Sequence, residues 1–270
     1  MILINGLPED KIAVTDRGLA YGDGVFRTLA VSNGHPLCWQ RHFIKLSDDC
    51  RRLCIPPPLE GQLLEEVERV ARDLGNGVVK IIVTRGQGER GYALPAHAQP
   101  TRIVIGSAMP SYPVENVRDG IRARLCDLRL SDQPHLAGIK HLNRLENVLA
   151  RAEWNDPAIA EGLLLDQRGN LVEGVTGNLF LIIGVALVTP ELSRAGVAGV
   201  TRERILAWAL ETGLPSEIRE VSLDELWTAE EVMVCNSLIG IWQIRNINGN
   251  TWEPGVCTPR IRNYLTESHD

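Results

Sequence analysis

The chain contains no run of roughly 18 consecutive apolar residues, so it offers no membrane-spanning helix and no membrane partner is expected. After Met1-Ile2-Leu3-Ile4 it turns polar at Asn5-Gly6 and lacks a basic, then apolar, leader, which predicts a cytoplasmic protein. Cysteine is sparse: Cys38, Cys50, Cys54, Cys126, Cys235 and Cys257 are too few in 270 residues for a disulfide framework, and reduced thiols are expected. An excess of positive charge is also missing. Lys and Arg total 28 against 34 Asp and Glu, a formal charge of −6, which argues against nucleic acid as the main partner. No Walker A and no G-x-S-x-G sequence occurs, so a P-loop and a nucleophile elbow are excluded. No internal repeat or low-complexity tract is visible.

What is present is a globular composition, 44% apolar and 23% charged. The length suggests about two domains. Residues 25–31 read as a strand, Asn33-Gly34 as a hairpin turn, and 36–39 as its return. Helices are expected over 42–53 and 59–74, strands over 78–84 and 102–107. Met109-Pro110-Ser111-Tyr112-Pro113 reads as a linker, giving domains 1–108 and 114–270 around a 109–113 connection. Beyond it come a strand at 121–126 and a helix over 143–154 with Leu145, Leu149 and Ala152 on one face. Asn143 and Glu146 suggest a capping box for that helix. Hairpins follow over 163–173 and 178–189, then helices over 201–212 and 222–227, late strands over 232–235 and 240–245, and a terminal helix over 259–266. Strands and helices do not alternate regularly, so the expected fold class is α+β.

Few segments carry chemistry. Gly86-Gln87-Gly88-Glu89-Arg90-Gly91 has the glycine spacing of a dinucleotide fingerprint, but Tyr92-Ala93-Leu94-Pro95 stands where the helix should begin, so a turn is expected. Cys50 and Cys54 lack the second ligand pair of a zinc site, and no metal is expected. Lys140 stands just before a helix. It reads either as a surface residue or as a nucleophile whose pKa falls from about 10.4 through burial and the positive helix end. Glu173 reads either as a hairpin carboxylate or as a fixed anion for a cofactor's ring N–H⁺. In Ala198-Gly199-Val200-Thr201-Arg202, the helix start and the Thr201 hydroxyl could cradle a phosphate, or Thr201 is an ordinary N-cap.

Taken in order, these segments resemble the class IV, D-amino-acid-aminotransferase-like family of pyridoxal-phosphate enzymes along essentially the whole chain. The resemblance rests on Asn5-Gly6, Asp16-Arg17-Gly18, Tyr21-Gly22-Asp23-Gly24-Val25-Phe26, Thr84-Arg85-Gly86, Arg90-Gly91-Tyr92, Lys140, the 173–180 segment, Gly199-Val200-Thr201 and Cys235-Asn236-Ser237. Within the family, Ala137-Gly138-Ile139-Lys140-His141-Leu142-Asn143-Arg144-Leu145-Glu146 is most similar to the aminodeoxychorismate-lyase branch, whereas branched-chain aminotransferases follow the lysine with a Gly-Asn-Tyr type sequence.

The resemblance implies a two-domain fold-type IV protein, a homodimer, and pyridoxal 5'-phosphate held between domains. It implies Lys140 as the Schiff-base lysine and Glu173 as the partner of the pyridine nitrogen. Phosphate ligands would be Val200, Thr201, Asn236 and Ser237. Arg90 and Tyr92, with Arg102 as a third candidate, would meet a small dicarboxylate substrate. The family places an arginine after His-x-x in the first long helix, and this chain has His42-Phe43-Ile44-Lys45. Lys45 keeps the charge and register but loses the two-pronged donor; Arg41 is the other candidate. The implied reaction is an elimination that yields 4-aminobenzoate and pyruvate, a step of folate biosynthesis. The alternative is a D-amino-acid or branched-chain aminotransferase of the same fold.

Overall fold

Period-two alternation of apolar residues builds the first sheet. The computed structural model describes residues 1–267. They fall into two units, Met1–Pro110 with Ile139–Asn143, and Ser111–Gly138 with the chain from Arg144 onward. In the first unit the elements are β1 (Ile2–Ile4), α1 (Arg17–Tyr21), β2 (Gly24–Ser32), β3 (His35–Pro36), α2 (Trp39–Arg52), α3 (Glu60–Leu74), β4 (Gly77–Thr84) and β5 (Thr101–Ser107). The sheet order is β1-β5-β4-β2-β3, antiparallel throughout. Val25, Leu29 and Val31 of β2 join Val79, Ile81 and Val83 of β4 in a core with Leu46 and Cys50 of α2 and Leu63, Val67 and Val70 of α3. Phe26, Thr28, Lys80 and Ile82 have the opposite parity, with Phe26 paired to Ile82 and Thr28 to Lys80.

The hairpin return is shorter, and α2 longer, than the sequence suggests. Cys38 adopts a left-handed conformation (φ 54°) and turns the chain straight into the helix. Trp39, expected in the strand, instead stacks on Phe43 one turn later, with ring centroids 5.7 Å apart.

The second unit contains α4 (Glu115–Arg118), β6 (Ile121–Leu130), α5 (Leu145–Arg151), β7 (Ile159–Asp166), β8 (Leu171–Gly174), β9 (Asn178–Ile183), β10 (Ala186–Pro190), α6 (Val200–Thr212), β11 (Ser216–Arg219), α7 (Leu223–Thr228), β12 (Glu231–Asn236), β13 (Gly240–Ile247), β14 (Asn250–Thr251) and α8 (Cys257–Glu267). Its mixed sheet runs β11-β10-β9-β12-β13-β6-β7-β8, with β14 on β13. Alternation feeds both faces. Leu179, Leu181, Val232 and Val234 pack with Leu226 of α7, while Phe180, Met233 and Cys235 pack with Ile205, Trp208 and Ile261. The Ser222–Glu225 capping box forms as expected. Among the described residues, no helix is long and apolar enough to cross a membrane.

Three expectations fail near Lys140. Helix α5 begins at Leu145, with Arg144 as an N-cap that makes no side-chain cap hydrogen bond, rather than at Asn143. The Asn143 amide donates to the Gly22 carbonyl (3.2 Å), and Glu146 accepts from Ser131 N–H (2.9 Å), so both halves of the expected capping box are used elsewhere. The buried face of α5 is that of Ala150; Leu145 and Leu149 are 74% and 60% exposed. The chain also returns to the first unit at Ile139–Asn143, inside the stretch expected to form the second domain. Residues 268–270 of that expected domain lie outside the described residues.

Buried charge organises the first unit as much as apolar packing does. Asp23 accepts from Arg17 Nε (2.9 Å) and from Arg85 Nε (2.7 Å) and Nη2 (2.9 Å). Burial raises the Asp23 pKa, but hydrogen bonds and charge from Arg85 and Arg17 outweigh it and hold the carboxyl below its usual range. A depressed folded-state pKa contributes stability that is present above the unfolded value near 3.8 and is lost as pH falls through the folded one. Asp23→Asn should therefore cost about 2–3 kcal/mol near neutral pH, a buried-pair cost discounted for partial exposure. In urea titrations the gap from wild type should close below about pH 4. A gap independent of pH would contradict the ionic account.

Candidate active site

Lys140 lies in a short segment bound edge-on to β2. Its carbonyl accepts from Phe26 N–H (2.9 Å), and Leu142 N–H donates to the Gly24 carbonyl (2.9 Å). Its own N–H donates to Asp49 Oδ2 (3.1 Å), which also receives Arg27. The backbone beside Lys140 is thus fixed from a strand and from α2. Its Nζ stands 4.7 Å from the Phe26 ring centroid, and Lys80 Nζ stands 5.0 Å from the same ring. Both distances are in cation–π range. Lys80 belongs to no motif in the sequence; its register opposite Thr28, next to Phe26, is what brings it here.

Asp49 and Arg27 are also additions. Arg27 occupies a core-facing position between Val25 and Leu29, which demands a buried acid. Asp49 supplies it. Burial raises the Asp49 pKa, opposed by Arg27, the Lys140 N–H, Lys45 and Arg52. Lys45 precedes Asp49 by one helical turn on α2, and Arg41 precedes Lys45 by one more. Both basic side chains are half-buried.

The glycine-rich segment forms no helix, as expected. It is held by α1 at the Gly91 peptide, where Gly91 N–H donates to Tyr21 Oη (2.9 Å) and Arg17 Nη1 donates to the Gly91 carbonyl (2.9 Å). Arg90 and Tyr92 flank this fixed peptide and are exposed. Tyr92 leans on Tyr21, with ring centroids 5.5 Å apart. Arg102 is placed differently from the expectation. Its guanidinium is committed to Glu66 of α3 (2.7 and 3.1 Å) rather than presented beside Arg90 and Tyr92.

In the second unit Glu173 lies near the end of β8 and is only 4% exposed. Its Oε2 accepts from Val197 N–H (2.8 Å). Gly196, before Val197, has φ +84°, and a Cβ there would stand 2.8 Å from Val172 Cγ1. Helix α6 starts at Val200 after the N-cap Gly199, which has no side-chain cap hydrogen bond. Thr201 is therefore not the N-cap but the second helical residue, and it is buried. The α-helix leaves its first N–H groups without intrahelical partners, so this end favours an anion. Arg202 donates to Thr189 Oγ1 (3.1 Å) and to the Pro190 carbonyl (3.0 Å). Burial lowers the Arg202 pKa, opposed by Cys235 and Glu173.

Asn236 accepts from Leu238 and Ile239 N–H (2.9 and 3.0 Å) and donates to the Thr176 carbonyl (3.2 Å). Its amide shapes the turn that carries the partly buried Ser237.

Among the described residues, no cluster of three or more His, Cys, Asp or Glu side chains could hold a metal ion. Burial pushes the Cys50 thiol up to about 12, aided by Asp49, which suits a packed thiol rather than a nucleophile.

A family model described as amino-transferase class IV matches residues 24–247. An aminodeoxychorismate lyase of Vibrio harveyi is 32% identical over 249 residues, covering 92% of each chain. A putative branched-chain-amino-acid aminotransferase of Methanocaldococcus jannaschii is 31% identical over 272 residues, covering 97% of this chain and 93% of its own. Among solved structures, the 4-amino-4-deoxychorismate lyase of Pseudomonas aeruginosa superposes with a TM-score of 0.96 at 48% identity, covering 99% of both chains.

Asp49→Asn removes the charge opposite Arg27 and leaves the Lys140 N–H a weaker acceptor. Its expected cost is about 3–5 kcal/mol of unfolding free energy, measured by denaturant titration. A loss below about 0.5 kcal/mol would show that the pair does not fix this segment.

Proposed function

Because this chain belongs to the amino-transferase class IV family, we propose that it is a pyridoxal-phosphate-dependent lyase that converts 4-amino-4-deoxychorismate to 4-aminobenzoate and pyruvate. The observation that carries this reading is the similarity, across nearly all of both chains, to a 4-amino-4-deoxychorismate lyase. The residues suit the cofactor. A buried carboxylate stands near the end of β8, a helix of 13 residues begins at Val200 without a side-chain cap, and a lysine is fixed by its backbone beside an aromatic ring. When bound, pyridoxal 5'-phosphate supplies an electron sink for the carbon that bears the substrate amine.

The chain's own groups do the rest. Glu173 would favour a protonated ring nitrogen through its fixed negative charge. The N–H groups of Val200 and Thr201, the Thr201 hydroxyl and the turn at Asn236 and Ser237 would hold the phosphate, with Lys45 as the proposed basic group from α2. Lys140 takes the ring proton from the amine-bearing carbon and returns a proton to the departing enolpyruvate oxygen. The carbon–oxygen bond breaks, the substrate ring becomes aromatic, and the enol becomes pyruvate. Aromatisation drives the elimination, so no second amino acceptor is consumed. Arg90, Tyr92 and Lys80 meet the substrate's two carboxylates. The two units serve as the domains, and the active protein is a cytoplasmic homodimer.

Incubation of the protein with aminodeoxychorismate should give equal amounts of 4-aminobenzoate and pyruvate. Amino transfer to a 2-oxo acid without pyruvate release would replace this reading with an aminotransferase. Lys140→Ala should abolish turnover and the visible absorbance of the bound cofactor; full activity in that variant would overturn the assignment. Arg90→Ala should raise KM by about 10–100-fold with a smaller effect on kcat, as loss of a charged contact made equally before and during reaction does.

A further inference from the structure

Asn178 opens β9 and is only 6% exposed. Nothing in the proposed chemistry uses it, yet both ends of its amide are engaged. Nδ2 donates to the Val197 carbonyl (2.7 Å), and Oδ1 accepts from Gly199 N–H (3.1 Å). Glu173 takes the N–H of the same Val197 (2.8 Å). Ala198 N–H is taken by the Gly138 carbonyl (3.0 Å), and Gly138 N–H donates to the Gly196 carbonyl (2.9 Å). Every N–H from Val197 to Gly199 is therefore turned inward to a fixed acceptor. The next N–H groups, those of Val200, Thr201 and Arg202, are the ones a helix start leaves over.

We propose that Asn178 is the positioning residue for the phosphate-binding end of α6, acting through the backbone of residues 197–199 without touching the cofactor. This rests on the reading above, in which that end holds the phosphate. The geometry dictates the side-chain type, because one planar group must donate to one carbonyl and accept from an N–H two residues on. Aspartate lacks the donor, and glutamine is one methylene too long for this spacing. The fit is close. A Cβ on Gly199 would stand 2.3 Å from Asn178 Oδ1, so only glycine admits the bond. Gly199 has φ −70° and ψ 153°, which alanine adopts freely, so the clash lies with Asn178 and not with the backbone.

The test uses the full chain freed of cofactor, with pyridoxine 5'-phosphate and pyridoxine as probes. Neither can bond covalently to Lys140, and they differ only in the phosphate. Asn178→Ala should weaken the phosphorylated probe by about 10–100-fold, the range for two lost hydrogen bonds, and pyridoxine by less than about threefold. Gly199→Ala breaks the same contact from the other side and should show the same selective loss. The double variant should be no worse than the poorer single one, because both remove one clamp. Circular dichroism and melting of each variant report folding, and Gly199→Ala decides the matter should Asn178→Ala not fold.

Equal losses for both probes, or no loss for either, would overturn the assignment. Thr201→Val separates this failure from failure of the phosphate reading. If it alone loses the phosphorylated probe, Asn178 is not the positioning residue. If wild type does not prefer the phosphorylated probe, the helix start is not a phosphate site and the proposal falls with it.

Discussion

The peptide of Val197 is held from both sides, its N–H by Glu173 and its carbonyl by Asn178. The candidate site residues of the second unit, Glu173 and the start of α6, depend on that double hold. A buried peptide group left without a partner costs free energy, so this segment has one low-energy position. The position fixes three things together. It orients the Glu173 carboxylate near the end of β8, it sets the direction in which α6 starts, and it ties both to Gly138, two residues before Lys140. The glycines around it follow from the same constraint. Gly196 takes a left-handed conformation, and Gly199 must let the Asn178 oxygen approach.

The first unit reaches the same end with charge. Arg17, Arg27, Arg85 and Arg102 each donate to an acid: Asp23, Asp49, Asp23 and Glu66. A buried ion pair is a poor source of net stability, because desolvation consumes much of the attraction. Its effect here is positional. Asp49 receives Arg27 and the Lys140 N–H on the same oxygen, so the strand, helix α2 and the lysine segment converge on one atom. Asp23 ties Arg17 to Arg85, and Arg17 reaches on to the Gly91 carbonyl beside Arg90. The glycine-rich turn thereby acquires a fixed point next to an exposed arginine.

The fold class and most elements were legible because periodicity speaks directly to burial. Residues 59–74 repeat at helical spacing, and 25–31 and 178–183 are short, strand-length segments rich in apolar residues. Short-range polar chemistry was less legible. Ser222 and Glu225 form the capping box their spacing announces, whereas Asn143 and Glu146, at the same spacing, are claimed by Gly22 and Ser131. Only tertiary structure decides between those outcomes. Order and resemblance pointed to Lys140, Glu173 and the 199–201 helix start as candidate site residues. They did not point to the residues that hold these groups. Asp49 and Asn178 lie far in sequence from the groups they fix, and Arg102 is an arginine whose acid, Glu66, comes from α3. Arg27 alone left a readable trace, as a charge at a core-facing position of a strand.

The net charge of −6 and the local basic groups describe different ranges of the same field. Screening limits interactions between exposed charges to about 8 Å at physiological ionic strength. A nucleic acid samples an extended surface and needs a basic field over many phosphates. A small dicarboxylate samples only its immediate neighbours. The arginines of the first unit that meet acids are largely neutralised by them. Lys80 and Lys140 rest against Phe26, and an aromatic face orients an ammonium group without cancelling its charge. Arginine paired with acid fixes the scaffold, and the Phe26 ring gathers two ammonium groups within cation–π range.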